Sequence, residues 1–114
     1  MKTKKETQRW LGDKKDAIGA EIRFYQGQLD NLYSHSTARK CIIFFSGERN
    51  TYQILQNKLI DEEPKDLYEW ASTELLSQLE NLMPNSSNEV ALSRQNTHRG
   101  KQKALATFMQ WMRK

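Results

Sequence analysis

A chain of 114 residues with 37% apolar and 28% charged side chains can fold on one core without disulfide or metal staples, and its composition suits amphipathic helices with wet outer faces. Two prolines and five glycines are too few to punctuate an all-β fold, and no apolar run reaches membrane-spanning length. The formal net charge of +4 hides a segregation: residues 1–60 carry eleven basic and six acidic side chains, 61–89 one and eight, and 90–114 six and none.

These bounds predict one helical domain over 1–114, all-α, a bundle of about four helices with a long amphipathic helix at the N-terminus and basic segments at both ends. The charged start, with no apolar signal-peptide core, predicts a cytoplasmic protein, and no membrane partner is expected. Cys41, the single cysteine, excludes an internal disulfide and a cysteine-based zinc site. Its neighbours Ile42, Ile43, Phe44 and Phe45 predict a buried, inert thiol.

Thr3 and Glu6 form a capping box, so the first helix is expected to begin there and to run to about Tyr33. Leu11, Ile18, Ile22, Tyr25, Leu29 and Leu32 recur at heptad-like spacings, the mark of a helix edge built to meet another helix. That edge is equally competent to meet its own bundle or a second copy. Gly12, Gly19 and Gly27 interrupt neither the period nor the helix, and their small size predicts close approach of a partner helix.

The period slips around residues 34–37, where Ser36 or Thr37 is expected to cap a second helix, and His35 reads as a hinge residue. Residues 41–45 are the one place where a strand rivals a helix. Helix is preferred because no second stretch offers an alternating partner. Ser46 and Gly47 either end that helix or kink it, after which Tyr52, Leu55 and Leu59 resume the apolar face.

Acidic residues 61–63 before Pro64 start a third helix. Its inward positions are Leu67, Trp70, Ala71, Leu75, Leu79 and Leu82, with Asp66, Glu69, Glu74 and Glu80 outward, and Met83 with Pro84 ends it. Residues 85–88 read as a loop, with Ser86 and Glu89 a second capping box. Residues 93–103 contain no large apolar side chain. They are either a solvated helix face or a loop before a final helix at 97–113, whose core face is Leu105, Phe108, Met109 and Met112.

Chemistry is sparsely represented. His35 and His98 have no ligand-spaced companions, residues 61–63 read as a solvated helix start, and no phosphate loop or nucleophile motif occurs, so neither metal nor cofactor is expected. Asn85, Ser86 and Ser87 match a glycosylation sequon by chance. Arg94 and His98, four apart, offer a helical ribonuclease as a third alternative, but no second polar cluster converges on them. A helix-turn-helix over 90–105 fails for want of a glycine turn and an apolar recognition helix.

The leading expectation is a small non-enzymatic interaction protein contacting nucleic acid or a nucleoprotein complex. Its basic surface would comprise Arg94, Arg99, Lys101 and Lys103, in a segment with no acid after Glu89, together with Lys4, Lys5 and Arg9. These four C-terminal cations have no evident structural duty in the sequence. The rival is a protein-protein adaptor, inhibitor or assembly subunit that binds a partner or self-associates through the stripe at 11–32. Trp10, Trp70 and Trp111, one to a helix, are expected as core or interface anchors, with Trp10 the one that could face outward.

Overall fold

The computed structural model describes residues 2–29, 35–80 and 89–114. Four helices and no strand occur among them: α1 (Lys4–Gln28), α2 (His35–Leu59), α3 (Pro64–Glu80) and α4 (Glu89–Arg113). The chain is all-α, and its first helix is long. Leu32, Tyr33, Leu82, Met83, Pro84, the 85–88 loop and Ser86 of the second capping box lie outside the described residues.

Thr3 caps α1 as expected, its hydroxyl accepting from the Glu6 amide at 3.1 Å. The return half of the box differs, because the Thr3 hydroxyl also donates to the Glu6 carboxylate. The helix stops at Gln28, five residues before the expected end, and Leu29 follows in a turn that bonds back to Gln26. Gly27 sits in that last turn, where a β-carbon would meet nothing within 4 Å outside its own helix backbone, so no close approach offsets its weak propensity. Gly27→Ala should therefore stabilise the fold by about 0.5–1 kcal/mol, read as a small rise in melting temperature.

The α2 helix begins one residue before Ser36, so Ser36 and Thr37 lie inside its first turn and are not its caps. Residues 41–45 are helical, and α2 passes through Ser46 and Gly47 unbroken. Cys41 is half-buried, not fully enclosed. Pro64 opens α3, with Asp66 accepting from the Glu63 amide. The two alternatives for residues 93–103 resolve as helix, since α4 is continuous.

Contacts define the topology. Gly12 faces Gln56, Gly19 faces Arg49 and Tyr25 stacks on Phe45, so α1 and α2 are antiparallel. Gly47 meets Thr97 and Glu48 meets Gly100 and Lys103, so α2 and α4 run the same way. Glu74 with Lys101 and Tyr68 with Arg113 set α3 antiparallel to α4. The α2 helix is thus central, with α1 and α4 packed on it and α3 lying mainly on α4.

The large, fully buried apolar side chains gather at one end. Leu11, Tyr52, Leu55, Leu59, Leu67, Leu105 and Phe108 meet where α1 and α3 begin and α2 and α4 end. The expected α4 core face is buried throughout: Leu105, Phe108, Met109 and Met112. The other half is built differently. A β-carbon at Gly47 would stand 2.5 Å from the Thr97 carbonyl oxygen, and one at Gly100 would stand 2.9 Å from the Glu48 amide nitrogen and closer still to the Phe44 carbonyl oxygen. Backbone touches backbone there, which explains why residues 93–103 need no large apolar side chain. Close approach belongs to these two glycines. Gly12 and Gly19, expected to allow it, have only ordinary contacts at 3.5 Å and beyond.

Candidate nucleic-acid interface

Helix geometry divides the basic C-terminal segment. Arg94 and Lys101 are seven residues apart and share one edge of α4, whereas Arg99 and Lys103 are four apart and share another; Arg94 and Arg99 point about 140° apart. Lys101 pairs with Glu74 of α3 at 3.3 Å. Lys103 lies 3.7 Å from Glu48 and over the rings of Phe44 and Phe45, at 5.6 and 5.9 Å. Two of the four cations with no evident structural duty in the sequence therefore have internal partners. Arg94 and Arg99 are exposed and make no ion pair among the described residues.

The N-terminal cations lie elsewhere. Lys4 donates to the Ile60 carbonyl at 3.2 Å, just past the end of α2, and Lys5 and Arg9 are exposed. Lys2 sits on Trp111 near the end of α4, roughly 25 Å along that helix from Arg94. The seven cations expected to act together do not form one patch.

A different arrangement assembles along the side where α1 and α4 flank α2. At the packed end Trp10 stacks on Trp111, with centroids 4.7 Å apart and planes 15° from parallel, and touches Tyr52 edge-on. Trp10 is thus half-buried, not turned outward. Lys2 lies 5.1 Å from the Trp111 centroid and Lys14 5.5 Å from that of Trp10. Farther along come Lys103, Phe45 and Phe44, then Tyr25 stacked on Phe45 at 5.9 Å, and finally Phe24 edge-on to Tyr25 at 5.1 Å. Three cations, Lys2, Lys14 and Lys103, lie over rings of this seam, each contact supplying about 0.5–1 kcal/mol where water reaches it.

Trp10 with Lys14, Phe24 with Tyr25, and Phe44 with Phe45 are close in the sequence, but nothing local joins these pairs of α1 and α2 to one another or to Lys103 and Trp111 of α4.

Glu48, the one acid of α2, lies in the floor of the seam with its side chain 2% exposed. One carboxylate oxygen has no hydrogen bond. Burial pushes its pKa above the ordinary carboxylate value, and Lys103 and then Lys14 oppose the shift. Tyr52 is also pushed up, first by burial and then by Glu48, with the Thr107 hydroxyl opposing. At the far end the Cys41 thiol faces the Tyr25 hydroxyl and raises its pKa, with burial and Glu21 adding to the effect.

The stripe on α1 meets its own α2. Leu11 and Ile18 are buried within the chain, Ile22, Tyr25 and Leu29 are half-buried, and Leu32 lies outside the described residues. Arg94 and His98 are both exposed on α4, and neither side chain makes a hydrogen bond or ion pair among the described residues. No group of three or more His, Cys, Asp or Glu suited to a metal ion occurs among the described residues, and no described helix is long and apolar enough to cross a membrane. No protein-family model, curated protein or solved structure matches the chain.

Proposed function

We propose that this is a non-enzymatic helical interaction protein that contacts nucleic acid, alone or within a nucleoprotein complex, through the seam of cations and rings between α1 and α4. The observation that carries this reading is that Lys2 lies over Trp111, Lys14 over Trp10 and Lys103 over Phe45 along one side of the molecule, with Trp10 stacked on Trp111. Such a surface combines the positive charge that phosphates require with flat apolar faces. Exposed Arg99, one turn from Lys103 on the same edge, extends its charge. The adaptor reading has less to rest on, because Leu11 and Ile18 of its stripe are enclosed by the chain's own helices.

The test is a salt titration of nucleic-acid binding. Each phosphate contact that is lost should flatten the dependence of log affinity on log salt by about 0.7 for a single strand or 0.9 for a duplex. Replacing Lys2 and Arg99 together by glutamine should remove about two such contacts, roughly 1.4–1.8 in slope. Arg94→Gln, on the other edge of α4, should leave the slope unchanged. Absence of binding at low salt, or equal slopes for the parent and the double variant, would remove this function. Purified protein should also lose ultraviolet absorbance at 260 nm relative to 280 nm after a high-salt wash.

A further inference from the structure

Resting on that reading, we infer that the seam accepts single-stranded nucleic acid, with Phe24 as its outermost stacking surface. Phe24 is 58% exposed, more than any other Phe, Tyr or Trp among the described residues. Its ring contributes little to the core, yet it opens a continuous series. Phe24 meets Tyr25 edge-on, Tyr25 stacks on Phe45, Phe45 meets Phe44 edge-on, and Lys103 lies over the last two rings. Every member of this series lies on a helix.

A duplex keeps its base faces stacked inside and presents phosphates to a side surface, so half-exposed rings gain nothing from it. A single strand offers both phosphates for Lys14, Arg99 and Lys103 and free base faces for the rings. From Trp10 to Phe24 the seam extends roughly 21 Å along α1, room for several nucleotides. The pattern therefore favours a strand whose bases are already unpaired.

The experiment measures fluorescence anisotropy with three probes: a labelled single strand of about 16 nucleotides, the upper end of common site sizes, the same sequence as a duplex, and heparin, a polyanion without bases. The parent should bind the single strand tightest. Phe24→Ala should weaken that binding about 5- to 150-fold, the equivalent of one lost base stack. It should change duplex and heparin binding less than about 2-fold, below the smallest effect expected of a stack. Phe24→Leu, which keeps the apolar bulk without the ring, should behave like Phe24→Ala, and Phe24→Trp should restore binding.

A parent that binds duplex or heparin as tightly as the single strand, with Phe24→Ala inert, overturns this inference and leaves the nucleic-acid reading intact. No binding to any probe overturns both. Loss of all three activities together with a lowered melting temperature in both Phe24→Ala and Phe24→Leu would make the ring a structural element and also overturn the inference.

Discussion

Gly100→Ala should destabilise the protein by about 3 kcal/mol or more, the upper end of what overpacking costs in a core. The added β-carbon would be aimed at the Phe44 carbonyl oxygen and would lie 2.9 Å from the Glu48 amide nitrogen. Side chains can turn away from an intruding methyl group, but helix backbones cannot yield without moving the whole helix. Separating α2 from α4 would also disturb Gly47 against Thr97 and the Lys103 to Glu48 approach, so the strain has no cheap outlet. At about 4 °C per kcal/mol for a chain of this size, thermal melting should fall by about 12 °C. An unchanged melting temperature would mean that the two backbones are not in contact at this crossing. The expected gain from Gly27→Ala is the matched control, since it makes the same substitution where nothing opposes it.

Lys103→Met should cost about 2 kcal/mol at neutral pH. Removing one partner of a fully buried ion pair costs roughly 3–5 kcal/mol, and this pair falls below that range because the Lys103 side chain is 55% exposed. Glu48 would then remain buried with only Lys14 of α1 to oppose the burial, while Tyr52 on its own helix offers no positive charge. Adding Glu48→Gln should recover most of the loss, and a double-mutant cycle on chemical melts measures that coupling. Lys101→Met, which breaks the half-exposed pair with Glu74, should cost less than about 1 kcal/mol.

The same carboxylate sets a pH dependence. Because Glu48 holds its proton more tightly folded than unfolded, the folded state binds more protons over that window. Its contribution to stability is fully present below the unfolded carboxylate pKa and is lost as pH rises through the raised folded value. One such group changes stability by at most about 1.4 kcal/mol per pH unit. Melts from pH 4 upward should show this decline in the parent and a flatter profile in Glu48→Gln. Matching profiles would show that Glu48 is not the group responsible.

Local chemistry made much of the fold readable. Thr3 before Glu6 marks the start of α1, Pro64 after three acids marks the start of α3, and the spacing of Leu105, Phe108, Met109 and Met112 marks the buried face of α4. Each depends on residues within a turn or two of one another, where backbone hydrogen bonding and the 3.6-residue period act. Residues 41–45 were readable as helix only from the whole chain, which offers a strand there no partner, and nothing there distinguished a half-buried Cys41 from a fully enclosed one.

The amino-acid sequence by itself determined the helical class, the cap and proline starts, and the apolar face of α4. Only the tertiary structure decided which glycines are indispensable, since a small residue matters where another backbone approaches, and Gly47 and Gly100 find that neighbour on separate helices. It also decided which of the C-terminal cations have partners inside the fold. Charge counts set Arg94, Arg99, Lys101 and Lys103 side by side, but the turn of the helix separates them around its axis, Glu74 and buried Glu48 engage two of them, and the rings completing the seam come from three different helices. Electrostatic and stacking partners are set by distance through space, and no period along the chain records that distance.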